Sequence, residues 1–421
     1  MQKFIMVSNY LNHHQIPFCN ALDEFLKGSF AFVQTEPVEE ERIRMGWKEA
    51  SVSYLVHYYE EPERGRHMID EADIVLFGGT DDESYIQNRL MQGKPVIRYS
   101  ERLYKEAQWK AISPRGLLRK YKDHTRYRKA PVYLLCAGAY VPSDFHIVRA
   151  YPGKMLKWGY FPEKKVYDVD DLMKAKETGK ILWAARMIDW KHPEIPVRMA
   201  KKLKERGIPF HLEMIGGGEL ETEVRRLRTE YHLEEEISLP GYREPAEVRK
   251  AMERADIYLV TSDRREGWGA VVNEAMNSGC AVVADSMIGA APYLIRPGDN
   301  GYVYETGRED QLLHAVCTLL KDREKCQKTG RNAYDTIIKE WNAETAAKRL
   351  AAFCVEQGFL RAEDVTDAVP KTAHFTSGPC SQAPVIPERK MYRALQSHNP
   401  TRYSHILMLI SGQGSRSFNQ L

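Results

Sequence analysis

Thr261-Ser262-Asp263-Arg264-Arg265-Glu266-Gly267-Trp268-Gly269-Ala270-Val271-Val272-Asn273-Glu274-Ala275-Met276 is the stretch whose reading decides the fold. It follows the apolar, strand-like run Ile257 to Val260 and enters a helix-like segment that stops at Gly279. A second apolar run, Cys280 to Ala284, comes next. Strand, glycine loop, helix and strand in that order form the repeating unit of a doubly wound parallel sheet. In such sheets ligands bind outside the carboxyl ends of the strands. Gly267 and Gly269 let backbone approach a ligand closely, and the helix start offers unpaired N–H groups to an anion. Two carboxylates, Glu266 and Glu274, bracket the turn. That layout suits a polyhydroxylated ligand carrying a phosphate. It also suits an ordinary strand–helix turn with exposed acids, and the choice depends on the rest of the chain.

The chain has 421 residues, which is more than one typical core accommodates, so two domains are expected. Hydrophobic content of 43% and charged content of 28% are those of a globular protein in water. A formal net charge of +3 is too small to argue for nucleic acid, and no nucleic-acid partner is expected. The seven cysteines are scattered, with no C-x-x-C pair, which fits buried thiols in a reducing cytoplasm. Met1 to Val7 lacks the apolar length of a signal peptide. No segment reaches the ~18 apolar residues of a spanning helix.

Outward from the opening stretch the same grammar repeats. In the amino half Phe4–Val7, Phe30–Val33, Ile74–Phe77, Val96–Tyr99 and Val132–Cys136 read as strands, and 18–26 reads as a helix. Residues 151–179 read as a polar interdomain crossing. Asp168-Val169-Asp170-Asp171 lies within it and reads as helix-start acids, in preference to a metal-binding pair. A second series follows: strands at 181–185, 211–215, 237–239 and 257–260, alternating with helices at 196–205, 246–254, 310–320 and 331–353. Beyond residue 355, prolines at 370, 379, 384, 387 and 400 interrupt any long element, although 406–410 could form a strand.

Residues 98–129 depart from this pattern. They hold eleven Lys or Arg against three acids, interleaved with Trp109, Leu117, Leu118, Tyr121 and Tyr127. Three readings fit: a surface for an anionic membrane, a solvated basic face, or a site for an anionic substrate.

Five features recur in order in the carboxyl half: Arg186 and Lys191 after a strand; Gly216-Gly217-Gly218-Glu219 after the next; Pro240-Gly241-Tyr242 ahead of a helix; Ala255-Asp256 leading into a strand; and Glu266 and Glu274 spaced E-x7-E. Together they resemble the retaining glycosyltransferases of family 4, the glycosyl transferases group 1. Lys157 to Pro162 is similar to a segment of the bacterial surface-polysaccharide members. The resemblance implies a GT-B fold: an α/β chain of two Rossmann-like doubly wound domains facing a cleft. The expected divisions are an acceptor domain over 1–160, a donor domain over 161–340, a helix over 341–354 crossing back to the first domain, and a partly irregular extension over 355–421.

The resemblance further implies a UDP- or GDP-sugar co-substrate, no metal and no other cofactor. Arg186 and Lys191 would neutralise the donor diphosphate and stabilise the leaving group. Glu266, with the backbone of Gly267, Trp268 and Gly269, would hold hydroxyls of the transferred sugar. Glu274 would accept from the ribose hydroxyls. Ala270 and Val271 would place N–H groups on phosphate. Gly216, Gly217, Gly218, Glu219, Tyr242 and Arg243 would line the nucleoside.

In the amino half, family members place a glycine-bearing loop where this chain has Asn12-His13-His14-Gln15. Members often carry a His where it has Ser100-Glu101-Arg102. His13, His14, Glu101 and Arg102 are therefore the candidate contacts from that side. The implied activity is sugar transfer, with retention, to a glycan or lipid-linked acceptor at the inner membrane face. A sugar-nucleotide epimerase and a non-catalytic sugar-nucleotide-binding protein are the alternatives.

Overall fold

The computed structural model describes residues 3–39, 50–106, 108, 111 and 113–386. The strand suggested at 406–410 and the side chain of Trp109 lie outside them. Two all-parallel sheets organise the chain. The first contains β1 (Phe4–Ser8), β2 (Phe30–Gln34), β3 (Leu55–His57), β4 (Ile74–Phe77), β5 (Val96–Ser100), β6 (Val132–Ala137) and β7 (Met155–Trp158). The second contains β8 (Glu177–Ala184), β9 (His211–Ile215), β10 (Ile237–Gly241), β11 (Ala255–Val260), β12 (Ala281–Asp285) and β13 (Gly301–Tyr304). The strand orders are β3-β2-β1-β4-β5-β6-β7 and β10-β9-β8-β11-β12-β13. Both follow the dinucleotide-fold order, so each sheet reverses direction once, between β1 and β4 and between β8 and β11. Helices cover both faces. This explains why β1, β2, β11 and β12 are buried along their whole length and read as continuous apolar runs.

Three expectations need correction. The stretch 151–179 is not all connector. Met155–Trp158 is the seventh strand of the first sheet, and β8 begins at Glu177. It escaped notice because Lys154 and Lys157 interrupt a run of only four residues. The expected helix 331–353 is two helices, Arg323–Lys339 and Ala343–Glu356. Asn342 breaks it, its side chain accepting from Thr345 N as the cap of the second. Finally, not all of the basic stretch is surface. Arg98 makes a bidentate pair with Glu83 at 2.6 and 2.7 Å, and Arg102 is buried against Asp144. The acids at 168–171 do start a helix: Asp168 accepts from the N–H groups of Asp170 and Asp171.

The chain crosses between the sheets twice. Trp158 packs edge-on to Phe18 in the first core, and Gly159 lies flat on the buried ring of Trp268, where a Cβ would fall 2.3 Å from the indole. Phe161 stacks on Trp341. Asn277 then grips the crossing, accepting from Lys165 N and donating to Lys165 O. Ala343–Glu356 returns to pack on Ile16–Phe25 of the first domain. Residues 380–383 run antiparallel beside β7 and cover that sheet edge, with Leu156 opposite Gln382. Among the described residues no helix is long and apolar enough to cross a membrane.

Candidate active site

The carboxyl ends of β8, β9 and β10 open into a cavity of about 570 Å³ between the two domains. It gathers nine of the residues singled out from sequence. From the second domain come Arg186, Gly216, Gly217, Tyr242, Arg243, Val271 and Glu274, and from the first His13 and His14. Arg186 lies two residues past the end of β8. It is exposed and has no salt-bridge partner among the described residues, so its charge is available to a ligand. Tyr242 stands at the rim, 68% exposed. Glu274 projects from the helix Ala270–Asn277, whose first residue follows Gly269 in the left-handed region at φ 89°. Burial raises its carboxyl pKa above the ordinary value, and Arg249 opposes that rise. Sequence reasoning passed over Arg249, Val248 and Met252, which line the same wall. They sit on a helical face that reads as core.

Lys191 and Glu266 are not in the lining of this cavity and are paired with each other, Lys191 Nζ donating to Glu266 Oε2. The loops that carry them are laced together. Asp263 N donates to Trp190 O at 3.0 Å, Thr261 Oγ1 to Lys191 O at 2.7 Å, and Arg265 bridges Asp263 and Asp189. His192 lies between Glu194 and Asp263, at 3.3 and 3.4 Å, and these acids raise its pKa to about 9.

Glu101 reaches this loop from the first domain. A Cβ on Gly267 would fall 2.2 Å from its carboxylate, so Gly267 is the residue that admits it. Lys105 and the Tyr160 hydroxyl both donate to Glu101.

Five further residues of the expected site stand outside the lining of this cavity. Arg102 does not face the cleft: its side chain is fully buried with Asp144, which also accepts from Tyr104 N and Gln108. The Trp268 side chain is 1% exposed and belongs to the core, its Nε1 donating to Asn273; of its backbone, the part expected at the sugar, the carbonyl accepts from Ala290 N. Gly218 serves a crossing of loops, since a Cβ there would meet Met187 O at 2.7 Å, and it does not line the cavity. Glu219 is exposed and does not line the cavity, and Ala270 likewise lies outside its lining. Among the described residues no three His, Cys, Asp or Glu side chains converge as a cation site.

With this geometry in place, comparison with known proteins gives the class. Residues 168–336 match the family described as Glycosyl transferases group 1. The chain is 24% identical over 179 residues to the putative colanic acid biosynthesis glycosyltransferase WcaL of Salmonella typhimurium, covering 41% of this chain and 44% of that protein. It is 26% identical over 200 residues to the amylovoran biosynthesis glycosyltransferase AmsK of Erwinia amylovora, covering 46% and 48%. The chain thus spans less than half the length of these curated relatives. HepE of Anabaena in complex with UDP superposes with a TM-score of 0.60 at 14% identity, over 84% of this chain and 99% of that one. TarM superposes at 0.62 and 12% identity, over the same shares. The whole chain therefore has the GT-B fold, and its carboxyl half resembles the glycosyl transferases group 1.

Proposed function

We propose that the chain is a retaining, metal-independent glycosyltransferase acting in cell-surface polysaccharide synthesis. The observation that carries this reading is the single cavity uniting Arg186, Gly216, Gly217, Tyr242, Arg243 and Glu274 across from His13 and His14. A UDP- or GDP-sugar fits it in one direction. Tyr242 and Arg243 border the base, Glu274 accepts from the ribose, and Arg186 meets the diphosphate at the start of the helix Ala270–Asn277. The relatives act with both nucleotides: HepE binds UDP, and a mycobacterial mannosyltransferase of similar sequence is GDP-mannose-dependent.

Lys191 joins the diphosphate when it leaves Glu266, and Glu266 is then free for hydroxyls of the sugar. The bond from the sugar C1 to the diphosphate oxygen breaks as the acceptor oxygen attacks from the same face. The departing phosphate takes the acceptor proton, and the cations Arg186 and Lys191 stabilise its charge.

Purified protein is expected to gain thermal stability with one class of nucleoside diphosphate, since a ligand bound only to the native state raises apparent stability. Glu266→Ala is expected to lower sugar transfer at least ~100-fold while leaving that thermal shift in place. Equal loss of both would remove the assigned role. Release of free or epimerised sugar without acceptor would favour the epimerase.

The helix Pro114–Asp123 is the membrane-facing element in this reading, giving a cytoplasmic protein held at the inner face. Leu117, Leu118 and Tyr121 are 39%, 56% and 54% exposed among lysines and arginines. Sedimentation with vesicles containing phosphatidylglycerol is expected to fall on Leu118→Asp with Tyr121→Asp. Unchanged sedimentation refutes the assignment.

A further inference from the structure

Arg249 lines the donor cavity, although nothing in the sequence pattern marked it. It stands on the helix Pro245–Arg254 and is 9% exposed. Its guanidinium donates to Asn277 Oδ1 and, at 3.4 Å, to the Tyr167 hydroxyl. Asn277 is itself held by the interdomain crossing, accepting from Lys165 N at 2.8 Å and donating to Lys165 O at 3.0 Å. The guanidinium is therefore fixed before any ligand arrives. Among the described residues no carboxylate forms a salt bridge with it.

Glu274 lines the same cavity from the helix Ala270–Asn277. Its carboxylate likewise has no hydrogen-bond or salt-bridge partner among the described residues. Asn277 follows Glu274 by three residues, and side chains at that spacing are neighbours, with Cβ atoms about 5–6 Å apart. The guanidinium fastened at Asn277 thus lies one turn from the Glu274 carboxylate. A carboxylate out of water and without a cation tends to take up a proton, which turns one of its acceptor oxygens into a donor. Burial does raise the Glu274 pKa, and Arg249 is the charge that opposes the rise.

The other charges around the cavity are placed differently. Lys165, on the crossing, pairs with Glu253 at 3.1 Å, and Glu163 is exposed. Arg186 and Arg243 stand exposed on the loops after β8 and β10. His13 and His14 face the cavity from the first domain. Burial and the neighbouring His13 lower the His14 pKa to about 4, so that ring is neutral near pH 7. The buried Tyr258 hydroxyl, which senses Glu274, donates to Ala184 O at 3.0 Å. Among the described lining residues Arg249 is the buried cation.

We propose that Arg249 is a positioning residue for the nucleoside: its fixed charge holds Glu274 as a free carboxylate, so that both carboxylate oxygens accept from the ribose 2′ and 3′ hydroxyls. The inference rests on the donor reading of this cavity and adds the residue through which the ribose site keeps its charge.

Isothermal titration of the full chain with UDP, GDP and their 2′-deoxy forms tests this. The unaltered protein is expected to bind one of the two nucleotides at least ~10-fold more tightly than its 2′-deoxy form, the loss that follows removal of a hydrogen bond to a charged group. Arg249→Gln is expected to weaken the ribose nucleotide about tenfold and the 2′-deoxy form less than about threefold, so that the preference collapses. Arg249→Lys keeps a cation at the site and is expected to keep the preference. In Glu274→Gln, which has no charge to hold, adding Arg249→Gln is expected to change nothing further. Circular dichroism reports that each variant is folded, and Arg249→Met, also neutral, replaces Arg249→Gln if the latter is not.

A residue needed only for folding, or one that meets the diphosphate directly, would weaken both forms of the nucleotide alike. Equal weakening in the neutral variant, loss of the preference in Arg249→Lys, or a further loss on adding Arg249→Gln to Glu274→Gln overturns the proposal. Absence of a ribose preference in the unaltered protein also overturns it, while leaving nucleotide binding in place. Binding of neither UDP nor GDP overturns the donor reading itself, so the two failures are separable.

Discussion

Asp144 shows what a single buried charge does here. With its side chain fully buried it accepts from Arg102, from the backbone N–H of Tyr104 and from Gln108 at 2.7 Å. Asp144→Ala removes the carboxylate paired with the Arg102 guanidinium, also fully buried. Removing one partner of such a pair costs about 3–5 kcal/mol. The urea midpoint is expected to fall accordingly, and a loss below about 1 kcal/mol would contradict this account. The pair also marks the limit of reading residues from sequence. Arg102 and Asp144 are 42 positions apart, and neither lies in a recurring pattern, so Arg102 looked like free charge beside Glu101. Arg186 and Glu274 were legible because strand ends and helix starts fix where they point. The side-chain oxygens of Asn12 and Gln15 find their backbone donors, His14 N and Asn12 N, only once the loop is folded.

Between residues and domains lie the two loops that hold Lys191 and Glu266, and His192 is their titratable brace. Its pKa stands at about 9 against an ordinary 6.5, first through its hydrogen bonds to Asp263 and Glu194. Asp285 also senses its charge. A histidine whose pKa is raised by folding contributes stability that is complete below 6.5 and disappears as pH rises through the folded value. The protein is therefore expected to lose melting temperature between pH 6.5 and 9.5. His192→Asn should start lower and show a flatter decline. Asn is the suitable replacement because residue 192 sits at φ 50°, where Asn is tolerated. Parallel pH curves for the two proteins would show that the brace does not operate. The elements carrying these loops were largely readable: long apolar strands and amphipathic helices announce themselves by period. The strands Leu55–His57 and Met155–Trp158 were not, because three or four residues give no period to detect.

At the scale of the molecule the question is what holds the two domains at one separation. Part of the answer is a contact of backbone on backbone. Gly138 follows β6, and a Cβ there would fall 3.0 Å from Gly267 O and 3.2 Å from Gly289 Cα. Ala139 N donates to Gly289 O at 3.0 Å, and the Tyr140 hydroxyl to Ser286 O at 2.7 Å. Gly267, whose carbonyl Gly138 abuts, is the residue that faces Glu101, so the domain contact and the cleft share atoms. Gly289 has no positive φ, and alanine is acceptable to its own backbone. Its Cβ, however, would sit 1.9 Å from Gly267 O and 3.1 Å from Gly138 Cα. Neither obstacle is a flexible side chain, so backbone must yield, at the roughly 1–3 kcal/mol typical of overpacking. Gly289→Ala is expected to increase the radius of gyration in small-angle scattering and to lower turnover at least ~10-fold, because a misplaced reacting group costs rate steeply. Nucleoside-diphosphate binding should persist, since Arg186, Tyr242 and Glu274 all belong to the second domain. A variant with unchanged scattering and full turnover would mean that the glycine contact does not set the width of the cleft.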